Sequence, residues 1–463
     1  MKKVLFIACF AVNCCFAQTD KKVLFTPESF IDLVKQYHPV VKQANIQVQK
    51  AEADILSSKG GFDPTIEVNA ENKTFDGKNY YFHTNPEIKI PIPIGLDVKA
   101  GLEENGGQFL SSESSAGRSS YAGIDVALGK GMWIDKRRAA LQQSKIFGKQ
   151  SEQERLKIVN DILFDAYVSY WQWAGAYQLY NIYTKYFQIA NDRLRLTRIA
   201  YTNGDRALVD TIEAYTQVQN FELLQTDALI KLNTAKFDIS NFLWLKNDSA
   251  YLLPQQFVPD TIQFQMAQPV ATLEQLITQS NNNNPSLRSY DFKLQALEVE
   301  RKLKFQNLLP VLNLKYNLLN KDYYVFKGLN NSLLENNYKW GIDFKMPIFI
   351  REGRGEYKKS KLKIAETNLE LSAKRWEIEN KIKNYYTETN LLQQQITIAK
   401  KAYSNYNVLL KTESLRFANG ESSLFLVNSR ENKLIEILQK QVELTIKYFK
   451  AKYAIDWASG SLR

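Results

Sequence analysis

The sequence is poor in the residues that most often carry chemistry. It has two histidines and three cysteines among 463 residues, and the cysteines (Cys9, Cys14 and Cys15) all lie near the start. Neither His38 nor His83 has a second ligand at metal-binding spacing, and the sequence has no glycine-rich phosphate loop. We therefore predict no catalytic residue, no metal site and no cofactor, and interpret the chain as a protein that is not an enzyme.

Long apolar runs are missing as well. After residue 18 no segment holds the ~20 consecutive apolar residues of a membrane-spanning helix. Before that point, two lysines precede an apolar run over 4–12, and Ala17 offers a small residue at a cleavage point. This layout predicts a signal peptide over residues 1–17 and a mature chain without cysteine. Lipid attachment at Cys14 or Cys15 is the competing interpretation.

Proline is absent from two long stretches, residues 94–253 and 348–463. Within the first, only two glycines interrupt helix-forming sequence between Lys136 and Tyr201, which predicts a helix about 100 Å long. Aromatic residues recur along it at helical spacing, and we interpret them as packing contacts. The net charge of +11 is spread along the chain without a basic tail, so we assign it to solvated helix faces and predict no nucleic-acid partner.

An internal repeat organises the chain. Four landmarks recur 246 residues further on: Thr26 and Thr272, Glu28 and Glu274, Pro39 and Pro285, Pro64 and Pro310. Two later matches have smaller offsets: Gly123-Ile124-Asp125 with Gly341-Ile342-Asp343, and Asn203-Gly204 with Asn419-Gly420. The order is preserved, so we predict two copies of one unit, with about 28 extra residues between Pro64 and Gly123 in the first.

The predicted organisation is repeat 1 over residues 18–250, a linker over 251–271 and repeat 2 over 272–463. Each copy begins with a threonine-capped short helix that ends at a proline, followed by a second helix of about 20 residues. Strands follow at about 62–128 and at about 310–348. Each copy then ends in a long helical hairpin, with the turns at Gly204 and Gly420. We interpret Gly353-Arg354-Gly355 as the bend between strand and helix.

The predicted strands alternate apolar and polar residues. In copy one, the isoleucines at 88, 90, 92 and 94 alternate with Glu87, Lys89, Pro91 and Pro93. In copy two, Trp340, Ile342, Phe344 and Met346 alternate with Gly341, Asp343 and Lys345. This pattern places apolar side chains on one face of a sheet. It is typical of a strand that crosses a bilayer and also of a half-buried strand in a soluble protein.

Several motifs together resemble the TolC-like outer-membrane efflux protein family. They are the doubled short helix with its proline (His38-Pro39, Asn284-Pro285), Pro347 near a strand end, arginines at helix starts (Arg137-Arg138, Arg354) and the two turns. The turns read Asn203-Gly204-Asp205 and Asn419-Gly420-Glu421. The resemblance covers nearly the full predicted mature chain, although each motif alone is short.

The resemblance implies a mainly α-helical fold with membrane β-structure, built from two tandem repeats. In this family three copies close a shared outer-membrane β-barrel of about 12 strands above an α-helical periplasmic tunnel. The insertion in repeat 1 would add to that number, lengthen the hairpins or form loops. The implied function is passive exit of small molecules or secreted substrates across the periplasm and outer membrane. The implied partners are two further copies, a periplasmic adaptor (membrane fusion) protein, an inner-membrane transporter and outer-membrane lipid.

The resemblance also places the two turns at the periplasmic mouth of the channel. The candidate mouth residues are Asn203, Gly204, Asp205, Asn419, Gly420 and Glu421, and the candidate gate or constriction residues are Asp210, Leu426 and Ser429. Asp210 is either a gating residue or an ordinary carboxylate at a positive helix end. Leu426 and Ser429 stand where acid-ringed relatives carry aspartates. We therefore expect an apolar constriction at Leu426 rather than a cation-binding acidic ring.

A second function class fits the same sequence. The chain could be a periplasmic or surface coiled-coil scaffold without a conducting pore, whose strands form a small packed domain. The apolar face of the strands discriminates between the two, because a soluble scaffold would have to bury that face elsewhere. We favour the channel.

Overall fold

The computed structural model describes residues 22–261, 271–323 and 337–463. The predicted signal peptide, with Cys14 and Cys15, lies outside them. The chain is mainly helical, as predicted. Its helices are α1 (Pro27–Tyr37), α2 (Pro39–Lys59), α3 (Lys136–Thr202), α4 (Leu208–Ser240), α5 (Leu273–Asn283), α6 (Pro285–Gln306), α7 (Arg351–Ala418) and α8 (Leu424–Ser459). Its strands are β1 (Val23–Phe25), β2 (Thr65–Phe75), β3 (Lys78–Ile92), β4 (Leu96–Gly106), β5 (Gly117–Ala127), β6 (Phe257–Pro259), β7 (Val311–Lys321) and β8 (Tyr338–Lys345).

Two compact units divide the chain. The turn unit comprises residues 1–41, 161–271 and 384–456, and the sheet unit comprises 42–160, 272–383 and 457–463. In the described ranges, no helix is both long and apolar enough to cross a lipid bilayer. The division into two sequence repeats stays a prediction, because the compact units follow packing rather than repeat boundaries.

The short helices begin with the predicted caps. The hydroxyl of Thr26 accepts a hydrogen bond from the backbone N–H of Ser29 at 3.2 Å. Thr272 and Gln275 form a reciprocal capping box at the start of α5. The threonines therefore satisfy backbone N–H groups that the first helical turn leaves without partners.

His38 and Asn284 cap the second helix of each copy in the same way. The backbone N–H of Val40 donates to His38 Nδ1 at 3.2 Å, and that of Ser286 donates to Asn284 Oδ1 at 2.9 Å. His38 is buried beside Phe242 and Trp244. A buried ring that accepts this bond is neutral, since the protonated ring has no acceptor. The histidine therefore has a capping role that an asparagine fills in the second copy.

The sheet unit holds one antiparallel sheet in the order β2-β3-β4-β5-β7-β8. Its register places apolar residues opposite one another across the strands. One such row is Ile66, Ile88, Ala100, Ala122, Leu318 and Tyr338, and another is Ile90, Val98, Ile124, Tyr316 and Trp340. Successive side chains of a strand point to opposite faces. The alternation predicted from the sequence is thus confirmed, and the sheet has one apolar face.

The opposite face of the sheet carries paired charges. Neighbouring strands are joined there by ion pairs between Lys89 and Asp97 at 3.3 Å, Lys99 and Asp125 at 3.3 Å, and Lys315 and Asp343 at 2.7 Å. The Tyr121 hydroxyl donates to Glu87 Oε2 on the same face. Charged groups need water or partners, so this face is suited to an aqueous surface.

The extra residues of copy one form additional strands. Copy one supplies β2 to β5, whereas copy two supplies β7 and β8. The β3–β4 turn contains Gly95 with φ +90°, and a Cβ there would lie 2.9 Å from the Arg138 guanidinium. Asp97, just after the turn, accepts a hydrogen bond from Arg137 at 2.9 Å. The arginines at the start of α3 therefore fix the additional hairpin.

Two helix boundaries differ from the expectation. Gly353-Arg354-Gly355 lies in the first turns of α7 rather than in a bend before it, so that prediction was wrong. The first helical turn makes few internal hydrogen bonds, so glycine costs little there. The sequence pattern predicts the returning helix of copy one over residues 207–245, but α4 ends at Ser240. There the Ser240 hydroxyl accepts a hydrogen bond from the backbone N–H of Leu253.

The aromatic residues along α3 make packing contacts, as predicted, and two of them stack on rings of α8. Trp171 stacks on Phe449 at 3.7 Å between ring centroids, and Tyr167 stacks on Tyr453 at 3.8 Å. Tyr170 is fully buried, and its hydroxyl donates to the Phe25 carbonyl oxygen at 2.7 Å. These contacts give the turn unit an aromatic core.

We expect the stability of the protein to fall as the pH drops through the titration range of His38. Burial lowers the pKa of His38 below its usual 6.5, although a hydrogen bond with the Asn241 backbone acts in the opposite direction. The unfolded chain therefore binds the proton more readily, and the contribution is lost below about pH 6.5.

The test is His38→Asn, which keeps the capping acceptor that the second copy uses and removes the titration. Urea unfolding of the detergent-purified protein at pH 7.5 and pH 5 measures the effect. The variant should lose less stability than the wild type between these pH values. An equal loss in both proteins would contradict the prediction.

Candidate functional site at the helical turns

The two long hairpins turn with the same backbone geometry. At the first turn, Gly204 N–H donates to the Tyr201 carbonyl and Asp205 N–H to that of Ala200. At the second, Gly420 N–H donates to Phe417 and Glu421 N–H to Arg416. The glycines have φ of +81° and +80°, a left-handed conformation that favours glycine. Both helices therefore end in a Schellman motif, and the glycines have the structural role of ending them.

The returning helices begin differently in the two copies. Ser423 caps α8, with its hydroxyl 3.4 Å from the backbone N–H of Leu426. The equivalent position before α4 is Ala207, whose side chain makes no capping bond. Asp210 lies in the first turn of α4, where a negative charge interacts favourably with the helix dipole. The carboxylate thus partly replaces the missing cap of the first copy.

Arg206 joins one turn to the helix that leads into the other. Its guanidinium lies 4.2 Å from the centre of the Phe417 ring and donates to the Phe417 carbonyl oxygen at 3.1 Å. That carbonyl is at the end of α7, where the helix dipole favours a positive charge. The stacking and the hydrogen bond hold the two turns together within the turn unit.

A buried charge network lies behind the turns. Arg193 on α3 contacts both oxygens of Glu431 on α8, at 2.9 and 2.7 Å. Arg193 also donates to Asn428 Oδ1 at 2.9 Å, and Asn428 lies 3.3 Å from Glu213 on α4. The Glu431 side chain is 1% exposed and that of Arg193 is 19% exposed. The network therefore ties three helices together at fixed positions.

An apolar core surrounds this network. It includes Leu194 on α3, Val218 and Phe221 on α4, and Leu424 and Leu434 on α8. Burial in the same core raises the pKa of Tyr186 to about 12, so its hydroxyl is neutral at physiological pH. The Arg193–Glu431 pair thus lies in a poorly solvated environment, where the loss of either charge leaves the other without compensation.

The predicted mouth residues lie at the surface of the turn unit. Asn203, Gly204, Asp205, Asn419, Gly420 and Glu421 are all exposed. Leu426 is 41% exposed and Ser429 is exposed, while Asp210 is half-buried. Within the hydrogen bonds and ion pairs of the described ranges, none joins Asp210 to Leu426 or Ser429. Their proposed role in gating therefore stays a prediction.

Exposed apolar residues accompany Leu426 at the helix starts. Leu208, Val209 and Ile212 of α4 and Phe425 of α8 are each more than half exposed. In the part of the chain that the structure describes, no three histidine, cysteine or acidic side chains come together as metal ligands. The surface at the turns is therefore suited to apolar contacts with other protein.

Sequence reasoning did not predict a role for Arg193, Glu431, Asn428 or Glu213. Arg193 and Glu431 are 238 positions apart, and neither stands in a repeat match. Only the packing of α3 against α8 brings them together. One weak signal was available, because both are charged residues on helices whose apolar stripes must pack face to face.

The second half of the chain is similar in sequence to a known protein family. Residues 276–460 match the sequence model of the family described as outer membrane efflux protein. Over these residues, the chain is similar to the outer membrane efflux protein family. The match covers most of the second predicted repeat. A comparison of the sequence with curated proteins gives no match.

Solved structures extend the likeness to nearly the whole chain. The match to the Campylobacter jejuni CmeC outer membrane channel covers 94% of this chain and 86% of the CmeC chain, with a TM-score of 0.64 and 14% sequence identity. The Vibrio cholerae outer membrane protein VceC covers 94% and 96%, with TM-score 0.63 and 13% identity. The open Neisseria gonorrhoeae MtrE channel covers 94% and 89%, with TM-score 0.66 and 11% identity. The fold shared with these structures thus includes the first half of this chain.

Removal of one partner from the Arg193–Glu431 pair should strongly destabilise the turn unit. Arg193→Met leaves a buried carboxylate unpaired, and we expect a cost of about 3–5 kcal/mol. The double variant Arg193→Met with Glu431→Leu should recover most of the loss, because no lone charge then remains. Urea unfolding followed by circular dichroism measures both variants.

The control for this prediction is Glu436→Gln, which breaks the solvent-exposed pair between Lys433 and Glu436, 2.8 Å apart. Exposed pairs contribute little, so its unfolding midpoint should stay close to that of the wild type. A single Arg193 variant as stable as this control would show that the buried pair does not hold the helices.

Proposed function

We propose that this chain is the subunit of an outer-membrane channel that gives solutes a passive exit. The observation that carries the proposal is the fold, which outer membrane channels share over 94% of this chain. The similarity of residues 276–460 to the outer membrane efflux protein family supports the same function. The outer membrane efflux protein family consists of channel proteins, which supports the sequence-based interpretation that this chain is not an enzyme.

The two faces of the sheet support the placement in the outer membrane. Side chains such as Ile90, Val98, Ile124 and Trp340 share one face, while the ion pairs share the other. An apolar face toward lipid and a charged face toward water is the arrangement of a transmembrane strand. A soluble coiled-coil scaffold would need a partner to cover the apolar face.

We further propose that three copies assemble and that the turns form the periplasmic mouth. The long helices carry exposed apolar residues that a single chain leaves uncovered, among them Leu223, Ile230, Leu369, Trp376 and Ile398. Copies packed side by side would bury them. The exposed apolar residues at the turns would then meet a periplasmic adaptor protein, which connects the channel to an inner-membrane transporter.

Envelope fractionation tests the channel proposal. We expect the protein in the outer-membrane fraction, soluble only with detergent, and with the native mass of three copies. Incorporated into planar bilayers, it should give discrete conductance steps. Recovery as a detergent-free monomer would overturn the channel and favour the scaffold.

We predict that Leu426 narrows the mouth. An apolar constriction excludes water, so Leu426→Asp should raise the single-channel conductance of the purified trimer by at least about twofold, and Leu426→Ala by less. Leu391→Ala is the matched control, because this exposed leucine of α7 lies far along the chain from both turns. Unchanged conductance in both Leu426 variants would show that the constriction lies elsewhere.

A further inference from the structure

The sheet has two open edges. Strand β2 pairs only with β3, and β8 pairs only with β7, within the residues that the structure describes. Each edge strand therefore presents a row of backbone N–H and C=O groups that form no ladder within the chain. Such an edge is a template for pairing with another strand.

The side chains of the edge strands are more exposed than equivalent side chains inside the sheet. On the apolar face, Ile66 of β2 is 75% exposed and Phe344 of β8 is 67% exposed, whereas Ile124 of the central β5 is 38% exposed. A central residue has neighbours on both sides, and an edge residue has one. The apolar surface is therefore incomplete at the two edges.

The directions of the two edge strands allow them to pair with each other between copies. All five pairings in the sheet are antiparallel, so β2 and β8 run in opposite directions. Strand β8 of one chain placed beside β2 of another would continue the antiparallel ladder. Even-numbered residues of both strands belong to the apolar face, so even-numbered residues would have to lie opposite even-numbered ones.

A single chain cannot close this sheet on itself. A ring of about eight strands has an interior just wide enough for its own side chains, and six strands would enclose less. Here the interior face would carry the ion pairs Lys99–Asp125 and Lys315–Asp343, whose burial in a dry interior would cost more than their attraction returns. Closure with a hydrated interior needs strands from further copies.

We propose that β8 of one copy pairs with β2 of the next and that the six strands of each copy close into one ring. This inference rests on the proposed trimer, in which three copies of six strands give about 18. The diameter of such a ring grows roughly linearly with strand number, so its cross-section is about twice that of a twelve-strand ring. The hairpin β3–β4 of the first repeat thus widens the lumen.

Cysteine pairs across the proposed seam test it. Residues 18–463 contain no cysteine, so the introduced thiols are the only ones in the predicted mature chain. Glu67→Cys on the polar face of β2 is combined in turn with Lys339→Cys, Gly341→Cys, Asp343→Cys and Lys345→Cys on the same face of β8. We expect one or two of these variants to oxidise in membranes to species of two and three times the monomer mass.

The matched controls combine Glu67→Cys with Trp340→Cys, Ile342→Cys or Phe344→Cys, which lie on the opposite face of β8. These should give no oligomers of higher mass, because their thiols are separated by the sheet. Reducing agent should return the cross-linked species to the monomer. Cross-linking in the controls as strongly as in the same-face variants would overturn the register that we propose.

The remaining outcomes separate this inference from the proposed function. Native mass is measured on the wild type, and a monomer would overturn both. A trimer whose same-face variants all fail to cross-link, or cross-link only within one chain, would overturn the seam and leave the channel in place. Electron microscopy of the trimer counts the strands directly, and a ring of about 12 instead of about 18 would overturn the proposal.

Discussion

One constraint shapes the whole structure: helix α3 has 67 residues, which is too long for a compact globular core to cover its apolar side chains. Helix α3 must be packed along its length by other long helices, and α8 supplies much of that cover. The type of contact between α3 and α8 differs from one part of the helix pair to another. Stacked rings join Trp171 to Phe449, and further along the charge pair joins Arg193 to Glu431. Flat rings and a bidentate guanidinium both fix the rotation of one helix against the other, which an aliphatic stripe alone does poorly.

The two predicted repeats share the backbone features that begin and end their helices, and they differ in their side-chain chemistry. Each copy caps its second helix with an acceptor before proline and ends its long helix with a left-handed glycine. The side chains diverge at Ala207 and Ser423, and the buried network uses one residue set with no repeat counterpart. Only a few residue types fit a left-handed turn or a helix cap, so both predicted repeats use similar residues at these positions. Side chains that pack against each other can differ between the repeats as long as both partners of a contact differ.

The features that could be predicted from the sequence are those with a local signal. Periodicity of two and the absence of proline were enough for the strands, the long helices and the turns, because these are local signals. The apolar face of the sheet followed from alternation at residues such as Ile88 and Ile90. The pairing of Arg193 with Glu431 could not be predicted, because it depends on the rotation and register of two helices distant in sequence. The bend expected at Gly353 was wrong because a first helical turn tolerates glycine as readily as a loop does.

The asymmetry of the copies has a consequence for the mouth that we propose. A mouth built from both turns of several copies would alternate Asp210 from α4 with Leu426 from α8. Each carboxylate would then have a leucine between it and the next, so the local density of negative charge would be half that of a mouth with acids at both positions. Interactions between exposed charges are screened within about 8–10 Å in physiological salt. Contact between apolar side chains is far less sensitive to salt, so closure of such a mouth would depend on packing at Leu426 more than on ionic strength.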